Sequence, residues 1–183
     1  DPDTFAYKYN AAQSSNDNGT IVVDNGTLDA ANKLTLDKDG SVTIQSGTYF
    51  FDGWELDDKT TVNIDASGGN VDIFMSDTIA QKNSGVKWVY NLLGGGAGDV
   101  RFFFKVDSGS MEISPDSSLS CFIYAPKLEV TAQPNLNFYG SIWANIVRLW
   151  PGADLFVDTS IMYDDTLGGT TYQPRTWTQS TRF

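Results

Sequence analysis

Binding a sugar without acting on it takes a flat aromatic face with polar groups beside it to meet the hydroxyls. The chain carries five Trp and eight Tyr. Two of them, Tyr124 and Trp143, fall at the same place in a phrase repeated nineteen residues apart, each preceded by an isoleucine, Ile123 and Ile142. Neighbours on a strand face opposite ways, so an inward isoleucine column turns Tyr124 and Trp143 outward, about 4.8 Å apart on adjacent rungs. Trp54 and Trp150 sit beside turn residues, and Trp88 and Tyr90 lie in a stretch followed by the glycines Gly94 to Gly96. The candidate ligand-binding set is therefore Trp88, Tyr90, Trp143, Tyr124, Trp54 and Trp150. The competing reading is that a bulky aromatic column packs beneath a loop or tail.

Other chemistries find less to work with. Glycoside hydrolysis wants two carboxylates roughly 5 to 10 Å apart, and Asp57, Asp65 and Asp72 are the only close set on strand-like segments. Outward solubilising charge explains their alternation equally well. There is no His, the commonest general base and metal ligand. The acidic turns Asp37-Lys38-Asp39-Gly40 and Asp57-Asp58 offer oxygens to calcium but match no calcium-loop spacing, and solvated turns are expected. Cys121, the single cysteine, excludes an internal disulfide and fits a small apolar strand residue. No catalytic residue, cofactor or metal is assigned. With 23 acidic against 12 basic residues and a formal charge of −11, neither nucleic acid nor an anionic membrane surface is an expected partner.

These side chains need a frame, and the frame is written as a repeat. Tyr124 to Val130 lies over Trp143 to Leu149 at an offset of nineteen, and the alignment runs on with Leu136 over Leu155, Phe138 over Val157, Ser141 over Ser160 and Ile142 over Ile161. Upstream, Met111 to Ile113 lies over Leu128 to Val130 and Leu119 to Cys121 over Leu136 to Phe138, at seventeen. Repetition near this period marks a solenoid, and the alternation within each unit marks short half-buried strands. The expected fold is all-β, a parallel β-helix in one domain spanning 1–183. Residues 1–33 read as an N-terminal cap with a short helix around Thr27 to Lys33. Residues 34–163 supply the rungs, interrupted by a long inserted loop over 78–98, and 164–183 read as a C-terminal cap or arm. An insertion in such an array maps to one face, often the binding face.

The phrase Tyr124-Ala125-Pro126, a strand, a turn, then Phe138-Tyr139-Gly140-Ser141-Ile142 resembles the small C-terminal β-helix domains of PilX-type pilus-assembly and pilin-like bacterial surface proteins. Gly47 to Phe51, Val62 to Asp65 and Val71 to Met75 fit the same layout, so the resemblance covers roughly residues 40 to 163. It implies a right-handed parallel β-helix displayed outside the cell. In layout and aromatic content the chain is also similar to the tāpirins, β-helical proteins that attach cells to cellulose. The chain opens on Asp1-Pro2 without a Met, as a mature fragment or excised ectodomain would.

The expectation is an extracellular, non-catalytic attachment module that binds a cellulose-like polysaccharide through exposed aromatics. One alternative is a pilus-tip or filament subunit acting through pilus or surface-protein partners. Another is a polysaccharide lyase or hydrolase built on a β-helix. An ice-binding solenoid would need a regular outward Thr ladder, and Thr35, Thr43 and Thr61 are too scattered for one.

Overall fold

A computed structural model describes residues 19–82, 88–113 and 118–157. The chain is a parallel β-helix of about six turns, with up to three strand segments to a turn. The first turn is β2 (Lys33–Gln45), which bends at Asp39 (φ 62°) into segments 33–36 and 41–45, and then β3 (Gly47–Phe51). Each segment receives the next turn in parallel. Segment 33–36 pairs with β4 (Gly53–Leu56), segment 41–45 with β5 (Thr61–Asp65), and β3 with β6 (Val71–Met75). On these stack β7 (Ile79–Gln81), β8 (Val89–Leu92) and β9 (Val100–Phe104). Beyond them β10 (Gly109–Ile113), β11 (Leu119–Ala132), β12 (Asn137–Leu149) and β13 (Asp154–Val157) complete the described stack. Among the described residues the only helical element is the three-residue 3-10 turn η1 (Ala97–Asp99), and no helix is long and apolar enough to cross a membrane.

The inward row builds the core. Leu34, Leu36, Val42, Ile44 and Phe51 of the first turn are fully buried, and their partners Trp54, Leu56, Val62, Ile64 and Met75 cover them. No turn can bury this row alone, so stability comes from stacking. The first edge is closed by β1 (Ile21–Leu28), which runs antiparallel along β2 with Ile21 and Val23 packed on the core. The expected short helix around Thr27 to Lys33 does not form. Thr27 and Leu28 belong to β1, and Asp29 Oδ1 instead accepts the N–H groups of Ala31 and Lys33 in a tight turn, with Asn32 in the left-handed region. An aspartate that satisfies nearby amides competes with helix formation.

The segment 78–98 is not an inserted loop in the expected sense. It carries two rung strands: Trp54 pairs with Ile79, and Val62 with Tyr90. The coils are longer here: Val71 meets Val100 twenty-nine residues on, whereas Val130 meets Val147 after seventeen. The expected cap at 164–183 lies outside the described residues, as do Ser160 and Ile161.

The repeat holds, and Tyr124 meets Trp143 at nineteen as expected, but elsewhere the two offsets exchange places. Met111 pairs with Val130 and Leu119 with Phe138, both at nineteen, while Val130 pairs with Val147 and Phe138 with Leu155, both at seventeen. Leu136 therefore does not stack on Leu155; it lies two residues earlier on its coil, and its carbonyl accepts the N–H of Asp154. The slip arises at the turn between Ala125 and Glu129, where the ladder of β11 and β12 breaks register. A two-residue shift leaves every side chain on the same side of the strand, whereas one residue would reverse them all. This is why the apolar pattern tolerated the wrong offset.

Candidate functional site

Three consecutive bulky apolar residues on a strand put the middle one on the wrong side for the core. Tyr49-Phe50-Phe51, Ile73-Phe74-Met75 and Phe102-Phe103-Phe104 each do so, and the register stacks their middle residues. Phe50 pairs with Phe74, Phe74 with Phe103, Phe103 with Tyr124 and Tyr124 with Trp143. Five successive turns thus contribute one outward aromatic apiece. The rings of Phe74 and Phe103 stack at 4.7 Å, Phe103 and Tyr124 follow at 6.4 Å, and Tyr124 and Trp143 at 6.1 Å, the latter two pairs tilted. Stacked or tilted contacts of this kind are each worth about 1 kcal/mol beyond the area they bury.

Exposure grades along the column. Phe50, Phe74 and Phe103 form a second buried cluster with Phe122, and Ala97 of η1 packs against it. Tyr124 is half-buried, and Trp143 is 47 % exposed. Ile123 and Ile142 face the core, as the isoleucine column requires. Beside Trp143 on the outer side of β12 stands Tyr139, whose partner is Phe156 of β13. These two exposed rings lie parallel at 4.7 Å. Four residues of strand separate Tyr139 from Trp143, about 13 Å at 3.3 Å per residue. The site is therefore two aromatic steps, Tyr124/Trp143 and Tyr139/Phe156, on the outside of the last turns, with Ser141 between them on β12. Tyr139 and Phe156 were missed in the sequence, although the signal was there: each is the apolar middle residue where alternation calls for a polar one.

Three of the expected site residues lie inside the solenoid instead. Trp54 is 1 % exposed, meeting Phe51 and Phe102 edge-on at 5.5 and 5.6 Å. Trp88 is 2 % exposed and Tyr90 is buried, its hydroxyl donating to the Ser120 carbonyl at 2.8 Å. Burial pushes the Tyr90 hydroxyl far above the ordinary tyrosine range. Parity explains all three: Trp54 shares an inward position with Leu34, and Trp88, Tyr90 and Leu92 alternate on one side of β8 with Tyr90 over Val62. None can offer a face to a polymer outside. Trp150, by contrast, is exposed at the turn leading to β13, where its carbonyl accepts the Ala153 N–H.

The flank carrying β2, β5 and β8 has a different outer surface. Asn63 donates to Thr43, and Asn91 donates to Asn63 at 2.9 Å, forming a polar ladder across three turns. Lys33 and Glu55 pair at 2.7 Å nearby. The aromatic column belongs to the other flank.

No family model, curated protein or solved structure matches this chain.

The three aspartates weighed for hydrolysis are each engaged locally. Asp57 Oδ1 accepts the N–H of Asp58. Asp65 takes the hydroxyl and backbone N–H of Ser67, which hold its carboxyl below the usual value. Asp72 forms a two-pronged pair with Arg101 at 2.5 and 2.8 Å beside the aromatic column. Arg101 is buried while Asp72 keeps some solvent contact. Replacing Arg101 with methionine strands that carboxylate, and the expected loss is about 2–3 kcal/mol, below that for a fully enclosed pair. Urea titration of the variant measures it. Among the described residues no cluster of three or more metal-ligating side chains occurs.

Cys121 sits in the core, and burial raises its thiol well above the usual range. A thiolate is needed for attack on a disulfide reagent. The folded protein is therefore expected to leave an aromatic disulfide reagent unreacted at neutral pH, with one equivalent of thiol appearing in denaturant. Prompt labelling of the native state would contradict this burial.

Proposed function

We propose that this chain is a non-catalytic attachment module, displayed outside the cell, that binds an insoluble cellulose-like polysaccharide along the outer side of its last described turns. The observation that carries the reading is the exposed last described step of the aromatic column. Trp143 emerges beside Tyr124, and the parallel rings of Tyr139 and Phe156 stand on the same strand and its neighbour. Sugar rings present apolar faces that stack on such surfaces, while hydroxyl groups at their edges need polar partners. Ser141, on the outer side between the two steps, supplies one such partner. A rigid β-helix holds the rings in place before the ligand arrives, which reduces the ordering cost of binding. The strongly acidic chain favours a neutral polymer over an acidic one. Incubation with microcrystalline cellulose, followed by assay of the supernatant, tests the proposal. Depletion that persists at high salt supports it, and full recovery in the supernatant on cellulose and on related neutral glycans overturns it.

A second reading draws on the exposed apolar residues Ile146, Leu149 and Val157 near the end of the described stack. Such a surface suits protein–protein assembly, as in a pilus-tip or filament subunit. Light scattering across a concentration series separates the two: a monomer that still binds cellulose favours attachment, and concentration-dependent growth favours assembly.

A further inference from the structure

β1 closes the first edge of the solenoid by running along β2, and its ladder breaks where β2 bends at Asp39. Pairing is regular from Ile21 to Asp24 and again from Gly26 to Leu28, with a shift of register between them. Asn25 stands in that break, exposed, with φ 48° in the left-handed region that asparagine tolerates better than most residues. Its side-chain amide donates to the Lys38 carbonyl at 2.8 Å, tying β1 to the corner of the first turn. Gly26 follows. Antiparallel ladders alternate between pairs that exchange hydrogen bonds and pairs that do not. Asp29 donates its N–H to the Lys33 carbonyl, so Thr27 and Thr35 form a bonded pair, and Gly26 and Leu36 do not. The Leu36 carbonyl accordingly turns away from β1 and accepts the N–H of Asp57. Gly26 N–H therefore points away from β2, toward the side of β1 where no described strand pairs with it.

An exposed asparagine outside the ladder, followed by a glycine whose amide the ladder does not hold, is arranged for one intrinsic reaction. We propose that Asn25-Gly26 is a self-modifying site, at which the Asn25 side-chain amide is lost as ammonia and the tie between β1 and the first corner is released. Gly26 N attacks Asn25 Cγ. The new N–C bond forms as the Cγ–Nδ2 bond breaks, and ammonia leaves carrying the Gly26 amide proton. Water then opens the cyclic imide. Attack at Cγ restores the original backbone and gives aspartate; attack at the main-chain carbonyl gives isoaspartate, whose backbone runs through an extra methylene. Glycine matters because it places no Cβ beside the attacking nitrogen. The other described asparagines precede residues that do, such as Lys33 after Asn32 and Ile64 after Asn63. Either product is an anion at neutral pH, which accepts hydrogen bonds and donates none. The bond to Lys38 is then lost, and two acceptors face each other. In the intact protein that bond restrains the side chain, so folding slows the reaction.

The test incubates the unmodified protein at mildly alkaline pH, which favours deprotonation of the attacking amide, beside a sample unfolded in guanidinium. Tandem mass spectrometry of the tryptic peptide ending at Lys33 locates the change, since that peptide also contains Asn18 and Asn32. The expected result in the folded protein is a gain of one mass unit at Asn25, as a mixture of aspartate and isoaspartate. It should be slower than in guanidinium but ahead of every other described asparagine. The converted fraction, separated by its added negative charge, should take up deuterium faster than the parent across Ile21–Leu28. An amide still intact at Asn25 in the folded protein, once the unfolded sample has converted, overturns the site, as does equal conversion at Asn32. Conversion that leaves exchange across β1 unchanged overturns the release of the tie.

Discussion

Trp143→Ala is expected to leave the coil folded and to weaken retention on cellulose about tenfold or more, while Trp54→Ala is expected to cost about 3–5 kcal/mol of stability. The two tryptophans have the same chemistry and opposite surroundings. Trp143 is 47 % exposed, and within the described structure its ring meets Tyr124 at the end of a column. Among the described residues its loss forfeits the tilted contact with Tyr124, worth about 1 kcal/mol. Trp54 fills the lumen between Phe51 and Phe102, and alanine there leaves a void that close-packed neighbours cannot fill. Paired measurements give the decisive comparison: urea midpoints for stability and depletion from a cellulose slurry for binding. A Trp143→Ala protein that binds as well as the parent removes the column from the site. Tyr139→Ala then asks whether the second step acts alone, and equal binding by both variants removes the whole aromatic surface from the proposal.

Gly140→Ala is expected to destabilise the fold by about 3 kcal/mol or more. Gly140 has φ 140°, a conformation nearly closed to other residues. A methyl group there would also lie 1.9 Å from the carbonyl oxygen of Cys121 on the turn below. That oxygen belongs to the backbone of a paired strand, so relief requires moving the ladder that joins β11 to β12. Because Tyr139 and Trp143 flank this glycine on one strand, the same shift should misplace both aromatic steps. Thermal unfolding of the variant measures the first effect and cellulose depletion the second. Gly69 makes an informative control, since its φ is 133° yet no atom lies within 4 Å of the methyl position. Alanine there carries backbone strain without the collision, so the difference between the two variants isolates the steric part.

The exchange of offsets shows where sequence reading was strong and where it was blind. Tyr124-Ala125 and Trp143-Ala144 were recognisable as stacked because inward and outward residues alternate in both strands. Whether Leu155 rests on Leu136 or on Phe138 was not recoverable from that alternation, since a two-residue slip leaves it unchanged. Only the length of the turn after Ala125 fixes the answer. The same limit hid the role of 78–98. The wide spacing of their strand patterns disguised β7 and β8 as an insertion, although Trp88, Tyr90 and Leu92 alternate with Val89 and Asn91 as strand residues do.

By itself the sequence determined the parallel β-helix and the facing of Tyr124 and Trp143. Both follow from a period-two pattern repeated at nearly constant spacing, which leaves one side of each strand apolar on turn after turn. Tertiary structure alone decided which aromatics meet solvent. It drew Trp54, Trp88 and Tyr90 into the lumen, stacked Phe50, Phe74 and Phe103 into a covered column, and left Trp143 exposed at the last described step of that column beside Tyr139 and Phe156. Facing is a local property of the strand. Cover depends on what another turn or loop places above a side chain, and that is set by packing between residues far apart in the chain.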